Sequence, residues 1–234
     1  MTTTICPLWD TAALNFAVRE LELLGVKVTK VPGASVTHVL LPVPTPPIKA
    51  EELPPNATII GGRLEAFPDT CRKMDLLQDA GYLAENAALT ADCALRLLGQ
   101  QLGVAFYGCP ILVIGWGRIG KCLAQLLRNL GAKVTVAARK ESDRGMLTAL
   151  GYDAISVSEI QLPSYRAVLN TAPAPILDCG DYDGIKIDLA SVQGLTGSDV
   201  QWARGLPGKM LPEASGQLIA RSVVRILQNK EGCR

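Results

Sequence analysis

The fold is decided by residues 110–140, which read PILVIGWGRIGKCLAQLLRNLGAKVTVAARK. An apolar run of strand type leads into a glycine-rich turn, and leucine or isoleucine then recurs at helical spacing at positions 119, 123, 126, 127 and 130. Gly131 is a typical helix stop, and a second apolar strand follows and ends at Arg139. Strand, helix and strand in this order predict a βαβ unit of a parallel sheet.

Three glycines, Gly115, Gly117 and Gly120, give the turn the pattern G-x-G-x-x-G between a strand and a helix. The first permits the tight turn, the second allows a pyrophosphate to approach the backbone, and the third allows the helix to pack on its strand. The helix N-terminus supplies unpaired N–H groups, and Arg118 is placed to add a second phosphate contact. The pattern predicts a bound dinucleotide. The alternative is a turn retained only for packing in a Rossmann-like domain that binds no nucleotide.

The end of the second strand distinguishes NAD from NADP, because an acidic residue there accepts hydrogen bonds from the ribose 2′-hydroxyl of NAD. That position holds no acid, and Arg139 and Lys140 stand there instead. A guanidinium beside a lysine suits a 2′-phosphate through charge-assisted hydrogen bonds. We therefore favour NADP as the cofactor. NAD is the alternative if the two basic side chains are merely solvated.

Two further predicted strands, YRAVLN and IKIDLAS, end in segments that belong at the same edge of the sheet. Open parallel sheets bind ligands outside the carboxyl ends of their strands. We expect backbone groups there to border the nicotinamide, namely those of Asn170, Thr171, Ala172, Pro173, Leu189, Ala190 and Ser191. Asp188 is either a general base or a residue that caps the following loop through an Asx-type hydrogen bond.

Alternating strand and helix patterns along the rest of the chain predict an α/β protein of two domains. A smaller α/β N-terminal domain comprises residues 1–85, and a C-terminal helix over 211–230 packs back on it. A Rossmann-type, doubly wound parallel-sheet NAD(P)-binding domain comprises residues 86–210 and includes a connector helix over 86–103. Near its end, the stretch SDVQWA at 198–203 predicts a further helix.

The composition excludes several classes of function. Of 234 residues 48% are hydrophobic, and the formal net charge is +1, so no positive field favours nucleic acid or an anionic membrane. A small-molecule ligand or another protein is the better expectation. Because no apolar run is long enough to cross a bilayer and no leader pattern opens the chain, we expect a cytoplasmic protein.

Seven cysteines are scattered without a C-x-x-C pair, which argues against a zinc cluster and a disulfide framework. We expect reduced, mostly buried thiols and no metal site. His38 is the only histidine. D-2-hydroxyacid dehydrogenases need a histidine paired with a carboxylate late in the chain, and shikimate-type reductases need an early lysine and aspartate pairing that this chain does not show. Both classes are therefore disfavoured.

The chain resembles the family of the dipicolinate synthase A subunit, an oxidoreductase of spore-forming bacteria. Five blocks in the family order carry the resemblance: ENAALTADCAL at 85–95, VIGWGRIGKCLAQLLRNLGAKVTVAAR at 113–139, NTAPAPIL at 170–177, IDLAS at 187–191 and GLPGKMLPEASGQLIA at 205–220. Over residues 1–84 the likeness rests mainly on LLPVPTPP and IIGG. This first part looks shorter than in the family.

The resemblance implies a bacterial enzyme of sporulation, on a branch of the lysine pathway, that makes dipicolinic acid. It would oxidise a cyclic dihydrodipicolinate-type dicarboxylate to dipicolinate while reducing NADP, in partnership with a flavoprotein-like B subunit. A homodimer is expected by analogy with two-domain dehydrogenases. The residues implied for the pyrophosphate are Gly115, Trp116, Gly117, Arg118, Ile119 and Gly120. The resemblance also implies that Arg139 binds the 2′-phosphate. It further implies that the strand-end residues from Asn170 and from Leu189 onward border the nicotinamide.

A dianionic substrate requires cationic or hydrogen-bonding partners. The candidates are Arg63 after Gly61 and Gly62, Lys49 in the proline-rich loop, Thr45, Thr90 and, as a possible catalytic hydroxyl, Ser191. Hydride transfer that creates an aromatic ring is downhill, so a strong general base is optional. Two alternatives stay open: an oxidoreductase of the same fold that acts on another small carboxylate, and a catalytically silent NADP-binding subunit.

Overall fold

A computed structural model describes residues 3–232, with side chains through residue 229. Its internal contacts divide the chain into two units. One comprises the residues up to Leu89 together with those from Pro207 onward, and the other comprises Thr90–Leu206. Each unit contains its own parallel β-sheet.

The first unit is a five-stranded parallel sheet covered by helices. Its elements are β1 (Thr4–Pro7), α1 (Ala12–Leu23), β2 (Lys27–Val28), β3 (His38–Leu40), β4 (Thr58–Gly61), β5 (Lys73–Asp75) and the start of α2 (Ala80–Gln101). The strand order is β2-β1-β3-β4-β5, which is the flavodoxin-like order. Apolar residues at helical spacing on α1 bury themselves in this unit's core.

The C-terminal helix completes the first unit. The elements that follow the second unit are α5 (Leu206–Met210) and α6 (Pro212–Gly232). Gly216 lets α6 approach α1 closely, because a Cβ at Gly216 would lie 2.4 Å from the Ala13 carbonyl oxygen and 2.6 Å from the Phe16 Cβ. The apolar face of α6, which includes Leu218, Ile219 and Val223, is buried in the same core as α1. The C-terminal helix therefore packs on the first unit, as predicted.

The second unit is a six-stranded parallel sheet with a small two-stranded appendage. Its elements are β6 (Pro110–Ile114), α3 (Arg118–Asn129), β7 (Lys133–Ala137), α4 (Glu141–Ala149), β8 (Asp153–Ile155), β9 (Ala167–Asn170), β10 (Leu177–Asp178), β11 (Ile185–Asp188), β12 (Leu195–Thr196) and β13 (Gln201–Trp202). The order β8-β7-β6-β9-β11-β13 is the 3-2-1-4-5-6 order of dinucleotide-binding sheets, and β10 pairs with β12. The predicted α/β fold with a Rossmann-type parallel sheet is confirmed.

Two local predictions need correction. The helix expected at 198–203 is wrong: Gln201 and Trp202 form an edge strand paired with β11, and Asp199 has a left-handed φ of 56° that interrupts a helix. The connector helix begins at Ala80 rather than at 86, because the Asp79 carboxylate accepts a hydrogen bond from the Tyr82 N–H at 2.7 Å and so caps an earlier start.

The six cysteines of the described residues are unpaired, and Cys6, Cys93, Cys109 and Cys179 are buried. Burial raises the pKa of each of these four thiols, so they remain protonated at neutral pH. The seventh, Cys233, lies outside the described residues. Within residues 3–232, no helix is both long enough and apolar enough to span a membrane.

Candidate functional site

The carboxyl ends of four neighbouring strands lie level with one another in the second unit. Ile114 at the end of β6 is in register with Ala137 on one side and with Asn170 on the other, and Asn170 is in register with Asp188. The order of the chain reverses between β6 and β9, and ligands of such sheets bind at this point. The segments predicted to hold the coenzyme therefore emerge side by side at one edge of the sheet.

The glycine turn after β6 shows a separate steric reason for each of its three glycines. Gly115 has a φ of +100°, which a residue with a side chain rarely adopts, and its missing Cβ would meet the Thr171 hydroxyl at 2.6 Å. A Cβ on Gly120 would lie 2.1 Å from the Gly115 carbonyl oxygen, so only glycine lets α3 pack against the turn. At Gly117 nothing lies within 4 Å of the missing Cβ, so this position opens into free space.

The N-terminus of α3 is open to an anion. Gly117 precedes the helix and offers no side-chain cap, and the first backbone hydrogen bond of the helix runs from the Lys121 N–H to the Gly117 carbonyl at 3.0 Å. The N–H groups of Arg118, Ile119 and Gly120 therefore have no acceptor within the helix. Together with the helix dipole, they form an electropositive cradle beside the open space at Gly117.

Thr171 fastens the β9 loop to the glycine turn. Its backbone N–H and its hydroxyl both donate to the Ile114 carbonyl, at 2.8 and 2.9 Å. The same hydroxyl lies 3.0 Å from where a Cβ of Gly120 would stand. Ala172 is half-buried and Pro173 is exposed just beyond it. Residues 115–120 and 170–173, which are separated by about fifty positions in the chain, are thus brought into contact, with Thr171 as a positioning residue.

Asn170 and Asp188 form a buried polar network that holds two strand ends together. The Asn170 amide donates to the Asp188 carboxylate at 3.0 Å, and the same carboxylate accepts N–H bonds from Ala190, Gly194 and Leu195 at 2.9, 2.6 and 2.8 Å. Asp188 is fully buried. Four donors occupy its oxygens, so the structure supports the capping interpretation of Asp188 over a role as general base. Beyond it, Leu189 and Ala190 are buried and Ser191 is exposed.

Basic side chains follow the end of β7. Arg139 and Lys140 are exposed, and in the described part of the chain neither side chain forms an ion pair. Arg144, on the first turns of α4, donates through Nη1 to the carbonyls of Ala138 and Arg139 at 3.0 and 2.9 Å. The sequence interpretation missed Arg144, whose signal was only its proximity to the other two basic residues.

Trp116, in the glycine turn, is half-buried and packs against Tyr152. Its ring meets the Tyr152 ring edge to face, with centroids 5.6 Å apart, and the Lys121 ammonium lies 5.7 Å from its centroid. The Arg128 guanidinium stacks on the other ring of the pair, 4.1 Å from the Tyr152 centroid. These contacts brace the turn against the residue that precedes β8, and aromatic and cation–π pairs each stabilise by about 0.5–1.5 kcal/mol.

Thr45 has a structural role in the first unit. Its hydroxyl donates to the Pro42 carbonyl at 2.9 Å and accepts from the Gly62 N–H at 3.0 Å, while its N–H donates to the Gly62 carbonyl at 2.8 Å. These hydrogen bonds attach the proline-rich loop to the end of β4. A Cβ on Gly61 would meet this hydroxyl at 2.3 Å, which is why small residues stand there.

Arg63 is the exposed cation at the carboxyl edge of the first unit's sheet. It follows Gly62 directly and has a left-handed φ of 63°, unusual for a residue with a long side chain. The next residue is anchored, because the Leu64 N–H donates to the Asp75 carboxylate at 2.8 Å. Among residues 3–232, no carboxylate forms an ion pair with Arg63. Its charge is therefore available to a ligand.

The remaining candidates are less suitable. Lys49 is exposed and precedes a short 3₁₀ helix, and Thr90 is buried within α2, only 8% exposed. His38 is the first residue of β3 and is within 2.9 Å of the Thr37 hydroxyl. It stands at the opposite end of that strand from the ligand edge, so it is not placed as a general base there.

A large open cavity lies elsewhere in the second unit. It has a volume of about 1250 Å³ and is lined by Pro110, Arg166 and Ile185, which begin or precede β6, β9 and β11. It therefore lies at the amino-terminal edge of the sheet, opposite the glycine turn. Tyr182 also lines it, and desolvation by burial raises the pKa of Tyr182 to about 12. We do not place the coenzyme there, because parallel sheets bind nucleotides at their carboxyl edge.

The fold and the glycine turn together define a class: α/β proteins with a Rossmann-type parallel sheet and a second α/β unit that has its own parallel sheet. Among solved structures, the chain is similar to the A subunit of dipicolinate synthase from Bacillus halodurans, with a TM-score of 0.81, 20% identity and coverage of 97% of this chain and 98% of that chain. For the A chain of dipicolinate synthase from Bacillus subtilis, the TM-score is 0.80, the identity 18% and the coverage 100% and 98%. The predicted resemblance is confirmed for the fold.

More distant structures share the same architecture. A transhydrogenase from Sinorhizobium meliloti has a TM-score of 0.67 at 15% identity, covering 97% of this chain and 94% of that chain. No family model matches the chain, and no curated protein matches it by sequence. That the first part of the chain is shorter than in the family stays a prediction.

Proposed function

We propose that the chain is an NADP-dependent oxidoreductase that oxidises a dihydrodipicolinate-type cyclic dicarboxylate to dipicolinate, in the manner that its fold neighbours' name suggests. One observation carries the proposal. Gly117 opens into free space at the uncapped N-terminus of α3, at the point where the strand order of the sheet reverses. Such a place combines access for a pyrophosphate with unpaired N–H donors.

The residues present fit a nicotinamide dinucleotide. The N–H groups that begin α3 would hold its pyrophosphate, with Arg118 beside them, and the loops after β9 and β11 would border the nicotinamide. When bound, the oxidised coenzyme supplies the acceptor for a hydride. Loss of that hydride and of one proton to solvent converts the dihydropyridine ring to an aromatic pyridine. Thr171 and the Asn170–Asp188 network keep the bordering loops in place for this transfer.

Two exposed cations support NADP over NAD. Arg139 and Lys140 follow β7, the position that faces the adenosine ribose in this class of sheet, and no acid stands there to accept a 2′-hydroxyl. Because neither side chain is held by an ion pair in the described part of the chain, both are available to a 2′-phosphate. A bidentate guanidinium is well matched to a phosphate.

Arg63 is the residue that we assign to a substrate carboxylate. Its exposed guanidinium, free of ion pairs among residues 3–232, stands at the carboxyl edge of the first unit's sheet. A dicarboxylate needs such a partner, since burying a carboxylate without one is costly. No base is required of the protein for an aromatising oxidation, which agrees with the engagement of Asp188 by four donors.

The same engagement of Asp188 also fits a second candidate, an NADP-binding subunit without catalytic activity of its own. It would serve a partner, and a flavoprotein-like B subunit is the partner that the resemblance implies. An oxidoreductase that acts on another small carboxylate is the remaining alternative. Only turnover separates these three functions, because all of them use the same coenzyme site.

Calorimetry with NADP and with NAD tests the coenzyme site. We expect NADP to bind at least about tenfold more tightly, and we expect Arg139→Asp to reverse this preference. The matched control is Arg166→Asp, the same substitution at the opposite edge of the same sheet, which should leave the ratio of the two dissociation constants unchanged. Absence of binding by either coenzyme overturns the proposal.

The reaction is tested by mixing the protein with NADP and freshly generated dihydrodipicolinate, with and without a flavoprotein-like partner. The proposal predicts NADPH together with the pyridine chromophore. NADPH formed only with another carboxylate supports the alternative substrate. Tight NADP binding without turnover, with or without the partner, supports the silent subunit.

A further inference from the structure

The segment between β7 and α4 is held by a side chain that no sequence pattern indicates. Arg144 reaches back over the first turn of α4, and its Nη1 donates to two successive carbonyls, those of Ala138 and Arg139, at 3.0 and 2.9 Å. Arg144 is half-buried, whereas Arg139 and Lys140 are exposed. Nη1 of Arg144 therefore forms hydrogen bonds within the protein, whereas the Arg139 guanidinium is exposed to a ligand.

The same segment is tied on its other side by the sheet. The Ala138 N–H donates to the Ile155 carbonyl at 3.0 Å, which extends the pairing of β7 with β8 by one residue. Ala138 is therefore fixed through both its N–H and its carbonyl. Beyond Ala138 the pairing stops, and the bond from Arg144 to the Arg139 carbonyl holds the chain where it leaves the sheet, together with the bond from the Arg144 N–H to the Lys140 carbonyl at 3.2 Å.

We propose that Arg144 is a positioning residue for recognition of a ribose 2′-phosphate: it fixes the backbone of Arg139, and so places the Arg139 guanidinium where a 2′-phosphate binds. The inference rests on the proposed NADP site. A long side chain on an unrestrained loop loses conformational freedom when it grips a ligand, and holding its backbone beforehand reduces that cost. The effect concerns only ligands that carry the 2′-phosphate, because Arg139 has no partner on NAD.

The test is Arg144→Met, which removes the donors and retains most of the side chain's volume. Dissociation constants for NADP and NAD are measured by calorimetry on the same preparation. We expect the constant for NADP to rise about tenfold and that for NAD to change less than about twofold. The matched control is Arg72→Met. Arg72 also donates to a backbone carbonyl, that of Asn56 at 2.5 Å, but it belongs to the first unit and not to the coenzyme-binding sheet, so neither dissociation constant should change.

A double-mutant cycle separates positioning from charge. If Arg144 acts through Arg139, then adding Arg144→Met to Arg139→Met changes the ratio of the two constants no further. If Arg144 acts through its own charge, Arg144→Met raises the ratio of the NADP constant to the NAD constant equally in both backgrounds, and the inference is overturned. Equal weakening of both coenzymes by Arg144→Met, or no effect on either, overturns it as well.

Failure of the inference and failure of the proposed function give different results. A wild-type protein that binds neither coenzyme removes the proposed function, and the inference with it. A wild-type protein that prefers NADP while Arg144→Met retains that preference removes the inference alone. Thermal denaturation of each variant, followed by circular dichroism, shows whether a loss of affinity merely reflects a loss of folded protein.

Discussion

Replacing Gly117 with alanine should weaken coenzyme binding strongly while leaving the fold intact. The added methyl group meets no atom within 4 Å, and the backbone at Gly117, with φ −80° and ψ −169°, is one that alanine adopts readily. Alanine is a poorer residue than glycine before a helix, by up to about 1 kcal/mol, but it restricts the unfolded chain by about 0.4–1 kcal/mol. These effects offset each other, so the free energy of unfolding should change by less than about 1 kcal/mol.

Binding should respond strongly to the same methyl group. It would stand where the pyrophosphate must approach the first N–H groups of α3, and hydrogen bonds to a charged group are each worth about 1.5–3 kcal/mol. Loss of one such bond raises the dissociation constant of the coenzyme by about 10- to 100-fold. Calorimetry with NADP measures this change, and urea denaturation measures stability.

Gly120→Ala is the contrasting variant. Its methyl carbon would stand 2.1 Å from the Gly115 carbonyl oxygen, roughly 1 Å too close, and the obstacle is backbone. Overpacking of this kind costs about 3 kcal/mol or more, which lowers the Tm by about 6–12 °C in a chain of this size. Gly145→Ala, where a Cβ also meets nothing within 4 Å, is the control for an added methyl group and should stabilise the fold by up to about 1 kcal/mol, because alanine suits the interior of α4 better than glycine. If Gly117→Ala binds NADP as tightly as wild type, the coenzyme does not approach the turn there and the reasoning is wrong.

Two further predictions concern the first unit. Arg63→Gly should raise the KM for a dicarboxylate about tenfold or more while stabilising the fold slightly, because glycine suits the φ of 63°; Asn56→Gly, at the same φ, should leave KM unchanged, and an unaltered KM for Arg63→Gly contradicts the assignment. The Arg225 guanidinium, 2.5 Å from the Asp79 carboxylate, and the Tyr82 N–H hold the pKa of Asp79 below its ordinary value of 3.8. Stability from this group is therefore full above that ordinary value and is lost as pH falls through the lowered pKa. Asp79→Ala should cost about 1–2 kcal/mol at pH 7 in urea denaturation, and the deficit should shrink at low pH; a deficit that does not depend on pH would show that the ion pair contributes nothing.

Much of the second unit was predictable because its signals are local. The glycine turn, the apolar stripe of α3 and the stop at Gly131 each lie within a few residues of one another, and helix and turn preferences act over that range. The edge strand at Gln201 was mistaken for a helix for the converse reason. Its conformation comes from pairing with Ile187 and Asp188, which are distant in sequence.

The candidate site shows the same division. The sequence indicated Gly115, Arg139 and the segments after β9 and β11 from motif and strand position alone. It left Asp188 open between base and cap, since only the folded chain brings the amide of Asn170 and three backbone N–H groups, the first of them that of Ala190, onto its oxygens. Arg144 was invisible for a related reason: its partners are backbone carbonyls, which every residue carries and no pattern distinguishes.

The amino-acid sequence by itself determined that strands and amphipathic helices alternate along the chain and that a glycine turn joins one strand to the helix after it. Hydrophobic periodicity and glycine geometry are properties of neighbouring residues, so the sequence alone reveals them. Tertiary structure alone decided the level alignment of Ile114, Ala137, Asn170 and Asp188, and hence that four loops meet at one edge. The tertiary structure also decided which polar groups form hydrogen bonds within the protein and which stay available to a ligand. Hydrogen bonds between distant segments make that choice, and they exist only once the strands have paired.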